Sequence, residues 1–396
     1  MSEWKKVKLG DITESCLGKM LDAAKNRGEY KPYLANLNVR WGSFDTNNLS
    51  LMKFEEDEDE RYGIKYGDLI ICEGGEPGRC AIWKEQIPDM KIQKALHRVR
   101  PKTGLVDNFY LFYWFLLAGK CNWIDQYCTG ATIKHLPGQK LKEVVVDLPP
   151  LPTQHRIATI LSRYDSLIEN YQKQIKLLEE AAERLYKEWF VDLHFPGHEN
   201  TKIVDGVPEG WEKRPVDSIY SIKYGKNLST KLITESGEFP VYGANGVIGY
   251  YDKANCNEQV VLITSRGNGS GDVLMTYHKD AFITNNSFIV LPLEDYSYCQ
   301  LPFTYQFLKN ANFRAVRTGA AQPQLTSQSI HTVDVVLPSK NIIIDYCDKV
   351  SYINNKIITL RNQIRLLTEA RDRLLPKLMS GEIELDEERP ERPTTS

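Results

Sequence analysis

No stretch of this chain is apolar for long enough to cross a bilayer. The most apolar run, Phe109 to Ala118, is about half the length a span needs and reads as a buried helix. No secretory signal opens the sequence, and the expected setting is the cytoplasm, without a membrane. The 8 cysteines include no C-x-x-C pair, and neither Cys72/Cys80 nor Cys121/Cys128 has zinc-type spacing. They read as reduced thiols, with no metal site. An excess of one charge is missing too: 50 basic residues face 52 acidic ones, for a net charge of −2. Any nucleic-acid binding must therefore use local patches. Within residues 1–150 the count is 22 basic and 21 acidic, and six of those acids form the block Glu55–Glu60. Read as a solvated loop, that block leaves the rest of the first globule net positive.

Catalytic constellations are equally scarce. Gly18-Lys19 and Gly225-Lys226 lack the upstream glycine and the following Ser/Thr of a P-loop. Asp147-Leu148-Pro149-Pro150-Leu151 has an inserted leucine and no aromatic, unlike the D/N-P-P-aromatic motif of amino methyltransferases. The stretches Gly243–Gly249 and Arg266–Gly271 are glycine-rich but have no phosphate-binding context. His194 and His198 are separated by Pro196-Gly197, which makes a turn rather than a helical metal pair. Pro88-Asp89 with Lys91 lacks the second carboxylate of a nuclease site. No nucleophile, base or metal cluster emerges, and the chain is not expected to be an enzyme.

What is there is written twice. Trp4, Leu9, Ile12, Gly18 and Lys19 recur as Trp211, Val216, Ile219, Gly225 and Lys226, at an offset of 207. T-G-A-x-x-x-x-L occupies Thr129 to Leu136 and again Thr318 to Leu325, at an offset of 189. The second offset persists: Leu148-Pro149 matches Leu337-Pro338, Gln174-Ile175 matches Gln363-Ile364, Leu177-Leu178 matches Leu366-Leu367, and Arg184-Leu185 matches Arg373-Leu374. The array reads globule, helix, globule, helix. The first globule is 18 residues longer between its anchors (207 minus 189).

Each globule reads as mixed α/β, making the fold class α/β (α+β) with a pseudo-two-fold internal repeat. Strands are expected near 68–73, 95–100 and 143–148 in the first globule, and near 259–264, 287–291 and 333–337 in the second. After Leu151-Pro152, with Thr153 as N-cap, the period changes. Ile157, Leu161, Tyr164, Ile168, Tyr171, Ile175, Leu178, Ala182 and Leu185 alternate four and three apart, a coiled-coil seam on a helix of about 55 Å. The second seam is Tyr346, Val350, Ile353, Ile357, Leu360, Ile364, Leu367, Arg371, Leu374 and Leu378. Arg371 stands where the first copy has Ala182; it either fixes register or lies at an exposed end. Each stripe needs a partner, and an antiparallel pair of the two helices supplies it. The expected boundaries are 1–150 for the first globule, 151–200 for the central helical spacer, 201–340 for the second globule, 341–382 for the second spacer and 383–396 for a disordered acidic tail.

Loops rich in Gly, Arg, Lys, Asn and Gln fall at matching places in both globules. Arg, Asn and Gln are the bidentate readers of guanine and adenine edges, and Lys holds phosphates. The candidate DNA-binding residues are Lys19, Asn36, Asn38, Arg40, Arg79, Lys134 and His135 in the first copy. In the second they are Lys226, Tyr242, Asn245, Arg266, Asn268, Gln322 and Gln324.

The chain resembles the specificity (S) subunit of a Type I restriction–modification system. The residues that carry the resemblance are W-K-x-V-x-L-G-D-I at Trp4 to Ile12 and its echo at Trp211 to Ile219. To these add Leu148 to Ala158, similar to the family's central spacer, and Leu378 to Ile383, similar to the end of the second. Leu337-Pro338-Ser339 departs from the fuller L-P-P-L-P-T-Q segment, which leaves the second helix start open. The resemblance implies two target recognition domains, each reading one half of a bipartite asymmetric site on double-stranded DNA. It implies helices that set the half-site spacing and dock two modification (methyltransferase) subunits. S-adenosylmethionine would belong to those subunits, and ATP and Mg to restriction (translocase/endonuclease) subunits; this chain would bind no cofactor. Two other classes stay open: a coiled-coil interaction scaffold without DNA contact, and an unrecognised DNA nuclease.

Overall fold

The computed structural model describes residues 4–22, 26–319 and 322–385. The chain divides into two compact units, Met1–Glu169 with Leu366–Ser396, and Asn170–Arg365. The division runs through both long helices, so each unit holds one globule and a length of each helix.

In unit 1 the strands that matter are β1 (Lys5–Lys8), β2 (Thr13–Leu17), β3 (Glu29–Leu34), β4 (Ser50–Phe54), β5 (Leu69–Cys72), β6 (Cys80–Ile82), β7 (Lys91–Ile92), β8 (Leu96–Pro101) and β9 (Val145–Leu148). They form a four-stranded sheet in the order β2-β8-β5-β6, a three-stranded sheet β4-β3-β7 and the pair β1-β9. In unit 2 the corresponding strands are β10 (Glu212–Pro215), β11 (Tyr220–Tyr224), β12 (Phe239–Gly243), β13 (Gly246–Tyr251), β14 (Val261–Thr264), β15 (Val273–Met275), β16 (Phe282–Ile283), β17 (Ser287–Pro292) and β18 (Asp334–Leu337). Their sheets run β11-β17-β14-β15, β13-β12-β16 and β10-β18, the same order strand for strand. Direction repeats as well. β3 pairs with β7 in parallel, and β12 with β16, whereas the other strand pairs of these sheets are antiparallel. The duplication seen in a few short motifs is thus a duplication of whole topology.

Period-2 alternation explains the layering. Leu69 and Ile71 of β5 face a core shared with α1 (Asn108–Lys120), while Ile70 and Cys72 face Leu34 and Ile92 of the three-stranded sheet. Both faces of β5 are covered, which is why it reads as an unbroken apolar run. β14 repeats this, with Val261 and Ile263 on one core and Leu262 on the other. The Asp107 carboxylate caps α1 by accepting the Tyr110 N–H at 2.8 Å. The length surplus of the first globule is placed mainly between β3 and β4. Fifteen residues, Ala35 to Leu49, connect them there, against two, Ala244 and Asn245, between β12 and β13.

The seams are the long helices α2 (Leu151–Tyr186) and, beyond α3 (Leu301–Lys309), α4 (Lys340–Met379). α2 begins at Leu151, two residues before the expected cap Thr153, because Pro152 already fits a first helical turn. It closes in a π-turn, Lys187–Val191, that turns Trp189 into the second core. The helices pack antiparallel in each unit. In unit 1, Ile157 and Leu161 join Leu374, Leu375 and Leu378. In unit 2, Tyr171, Ile175 and Leu178 join Ile353, Ile357, Leu360 and Ile364, and Val350 lies in the core that Leu185 packs against. Ile168 is buried, while Tyr164 and Leu367 are half-buried.

Arg371 does not lie at an exposed end. Its guanidinium, 18% exposed, pairs with Asp165 of α2 at 2.6 Å, and Asp165 also accepts the Tyr113 hydroxyl at 2.5 Å. A part-buried ion pair inside a seam fixes which residues face each other, because any slip leaves a charge unpaired. Of the expected tail, Ile383 and Leu385 lie against the first core, and Arg156 donates to the Leu385 carbonyl at 3.0 Å. The remainder, 386–396, is outside the described residues.

Candidate nucleic-acid interface

At one end of each four-stranded sheet, several loops converge through backbone bonds. In unit 1, Gly18 at the end of β2 donates to the Leu96 carbonyl at 3.0 Å, and Lys94 donates to the Lys19 carbonyl at 2.7 Å. Glu73, just past β5, donates to Ala95 at 2.9 Å and accepts from Leu136 at 2.7 Å. In unit 2, Gly225 donates to Ser287 at 3.0 Å, Asn285 to Lys226 at 3.0 Å, Ser265 to Asn286 at 2.8 Å and Leu325 to Ser265 at 2.8 Å. The same four bonds are made by different residues.

The T-G-A motif is a small hairpin in this frame. Thr129 and His135 exchange backbone bonds of 2.7 and 2.8 Å, and Thr318 and Gln324 exchange two of 2.8 Å. The hairpin bridges to the loop after the inner strand, Gly74 to His135 and Arg266 to Gln324. The motif glycine is a steric necessity. Gly130 has φ +93 and Gly319 φ +85, and a Cβ would fall 2.2 Å from the Ile133 oxygen or 2.6 Å from that of Gln322. The Gly-Lys dipeptide has a similar origin, since a Cβ on Gly18 would lie 2.4 Å from the Gln93 oxygen and one on Gly225 2.3 Å from that of Thr284. Both motifs were legible in the sequence; their cause was not.

The candidate readers gather at these loop ends but differ in freedom. In unit 1 most serve the loops themselves. Lys19 is buried, paired with Glu58 at 2.5 Å and donating to the Lys53 carbonyl at 2.9 Å. Asn38 is buried and braces its own turn, accepting from Ala35 N–H and donating to the Asp45 carbonyl. Asn36 donates to the Gly74 carbonyl at 2.7 Å, and Arg79 donates to the Asn36 carboxamide at 2.8 Å and to Glu76 at 3.0 Å. Arg40 is exposed, folded back on the Leu37 and Val39 carbonyls. Lys134 is exposed with Asp125 at 2.6 Å, and the hydrogen bond to that carboxylate raises the lysine pKa. His135 is exposed above Gly74.

In unit 2 the balance shifts. Lys226, Asn245, Arg266, Asn268, Gln322 and Gln324 are exposed. Among the described residues, the side chains of Lys226, Arg266 and Gln324 make no hydrogen bond or ion pair. Tyr242 is the exception: buried, its hydroxyl meets His278 at 2.9 Å and accepts the Tyr277 N–H at 3.1 Å. Thr264 ties the β12–β13 turn to this cluster by donating to the Ala244 carbonyl at 2.7 Å.

The structure adds groups that sequence reasoning missed. Lys94 is exposed in the turn between β7 and β8, beside Lys19, and Asn285 is its counterpart. Arg317, next to the second T-G-A, donates to the Asn268 carbonyl at 3.3 Å. Its adjacency to the motif was the available signal; for Lys94 there was none. His97, buried beneath the first hairpin, contacts the Leu136 carbonyl at 2.9 Å, and burial lowers its pKa. Among the described residues no cluster of three His, Cys, Asp or Glu could hold a metal, and no helix is long and apolar enough to cross a membrane.

Comparison with known proteins gives a consistent result. Residues 1–180 and 208–366 match the family described as Type I restriction modification DNA specificity domain. The MjaIX specificity subunit of a Type I restriction enzyme from Methanocaldococcus jannaschii is 27% identical over 348 residues, covering 81% of this chain and 78% of that protein. The HindI specificity subunit of Haemophilus influenzae is 20% identical, covering 97% of this chain and 100% of that protein. The fold is similar to a crystal structure of the S subunit of a Type I system from M. genitalium, with TM-score 0.55, 20% identity and coverage of 95% and 96% of the two chains.

Proposed function

This chain belongs to the Type I restriction modification DNA specificity family, and from that premise we propose how it divides the work. As a specificity subunit it is a non-catalytic component that selects DNA. Residues 1–150 and 201–340 act as two target recognition domains, each reading one half of a gapped, asymmetric site on double-stranded DNA. The two helical stretches, 151–200 and 341–382, set the spacing and dock two modification subunits. Those subunits bring S-adenosylmethionine for adenine methylation. Restriction subunits bring ATP and Mg.

One observation carries this division. The two sheet scaffolds agree strand for strand, yet outside the shared Gly-Lys and T-G-A motifs most side chains on the converging loops differ. Equal scaffolds with unequal loops suit two readers of unlike sequences. The exposed set suits DNA: Arg266 and Gln324 can make bidentate base contacts, and Lys226 and Lys94 can neutralise phosphates.

The test is base-resolution mapping of methyladenine in cells that express the native modification subunits with or without this chain. A gapped motif that disappears with the chain is expected. Exchanging residues 1–150 for another reader should change one half of that motif; a change in both halves, or in neither, overturns the division.

A further inference from the structure

Three residues tie the first globule to its helices in unit 1. The Tyr113 hydroxyl donates to Asp165, and Asp165 accepts the Arg371 guanidinium at 2.6 Å. The offset of 189 also separates the ends of α1 and α3, at Lys120 and Lys309. At that offset the counterparts of the three residues are Pro302, Asn354 and Ala182. All three partners have changed together, and all three counterparts line one cavity of unit 2. Where unit 1 has a phenol and a guanidinium, unit 2 has a chamber between α2, α3 and α4. Its volume for the centre of a water-sized sphere is about 30 Å³. One water needs about 10–15 Å³ by that measure, so the chamber has room for a group of about two waters' size.

The walls carry acceptors without donors. Gln306 of α3 is 5% exposed and lines the cavity, and its Oε1 has no hydrogen-bond partner among the described residues. Its counterpart in unit 1 is Leu117, so this buried carboxamide belongs to the second copy alone. A buried acceptor without a donor is costly and calls for a ligand. The Asn354 carboxamide, half-buried in the same wall, makes no hydrogen bond among the described residues. Glu179 is the carboxylate of the site; its Oε1 holds Arg361 at 2.8 Å. Much of the rest is aromatic. Tyr305 and Tyr346 stand in the wall, and the Tyr346 hydroxyl is spent on the Ala182 carbonyl at 3.2 Å.

We propose that this cavity binds a guanidinium group, which is planar, rich in N–H donors and more weakly hydrated than an ammonium. Gln306 and Asn354 accept its N–H groups, and the tyrosine rings cover it. Glu179 balances the charge beside Arg361, much as Asp165 serves two donors in unit 1. Asn354 and Glu179 are only half-buried, so a substituent on the group has a way out past them. The ligand is therefore a monosubstituted guanidinium, either a free alkylguanidine or the arginine side chain of a partner protein. Bound there, it ties α2, α3 and α4 together as Arg371 does its own junction. The assignment concerns the second copy only and does not depend on the DNA-reading role.

The test follows amide hydrogen exchange of the full chain, at constant ionic strength, against added methylguanidinium. Exchange of α3 and of the facing turns of α2 and α4 should slow saturably, with half-saturation on the order of 1 mM. Sodium chloride and urea should not slow it. Two variants should abolish the response while keeping the fold by circular dichroism: Gln306→Leu, which installs the unit 1 residue, and Ala182→Met, which fills the space. Agmatine and a capped arginine tripeptide separate the sources. A response to agmatine but not to the tripeptide supports the free amine, and tripeptide binding at least about tenfold tighter supports a partner's arginine. No response to any of the three guanidinium compounds overturns the site, as does an undiminished response in Ala182→Met. An equal response to urea overturns the cationic ligand.

Discussion

The two globules share a backbone plan and use it differently. Lys19 and Lys226 follow equivalent glycines and make equivalent backbone bonds, to Ile92 at 3.0 Å and Ile283 at 2.9 Å. Yet Lys19 is buried against Glu58, with its ammonium 5.0 Å from the Phe54 ring, whereas Lys226 is exposed. The acidic block explains the difference. Glu55–Glu60 is not simply a solvated loop: Glu58 holds Lys19, Asp59 holds Lys91 at 3.0 Å, and the Glu60 carbonyl accepts from Arg98 at 2.9 Å. Two of its carboxylates thus pair with lysines of the globule, where a solvated loop would have left that globule's positive charge unmatched. The same residue type at the same place in a fold can thus be a brace in one copy and an exposed, unpaired side chain in the other.

The junctions between globule and helix differ in the same way. Unit 1 uses Tyr113, Asp165 and Arg371; unit 2 uses Tyr277, Glu179 and Arg361, with Arg361 stacked 3.7 Å from the Tyr277 ring and 2.8 Å from Glu179. By the repeat, Asp165 corresponds to Asn354 and Arg371 to Ala182. In unit 2 those two residues line a small apolar cavity instead of forming an ion pair.

The largest expected effect tests the shared plan. Gly18→Val and Gly225→Val each force side-chain atoms into backbone and should cost about 3 kcal/mol or more in chemical denaturation. If only one of the two destabilises, the loop ends are not equivalent. Next, Lys19→Met should cost about 3 kcal/mol, because it leaves Glu58 without its cation, and should leave the salt dependence of DNA binding unchanged. Lys226→Met should do the reverse, sparing stability while lowering the slope of log K against log salt by about one. Equal behaviour of the two lysines would erase the contrast.

A smaller effect separates the junctions by pH. Burial pushes the Asp372 carboxyl up, but hydrogen bonds from Lys120 and Arg371 outweigh it and hold its pKa below the ordinary value. A carboxylate with a depressed folded-state pKa stabilises above its unfolded pKa, and that contribution is lost as pH falls through the folded value. Acid unfolding of the natural chain below about pH 4 should therefore be steeper than that of Arg371→Met, followed by circular dichroism. The smallest effect is expected at the cavity: Ala182→Met, filling it, should raise the unfolding midpoint by the equivalent of about 0.5 to 1 kcal/mol. Destabilisation instead would mean that the cavity wall cannot yield.

Much of the fold was legible. Strands expected near 68–73, 95–100 and 287–291 lie at Leu69–Cys72, Leu96–Pro101 and Ser287–Pro292, since buried β-branched runs between turns leave few alternatives. The site was less legible. Tyr242, Asn38 and Lys19 look like readers in the sequence, but their partners Tyr277, Asp45 and Glu58 are 35, 7 and 39 residues away.

The sequence by itself determined the duplication, the two helices and the places where loops diverge. Those are properties of local pattern, set by periods of two, of three and a half, and of one whole repeat. Only the tertiary structure decided which polar side chains face water and which are satisfied internally. A buried polar group must be matched by whatever residue the fold brings to it, and that residue comes from elsewhere in the chain, as Glu58 does to Lys19 and Asp165 to Arg371.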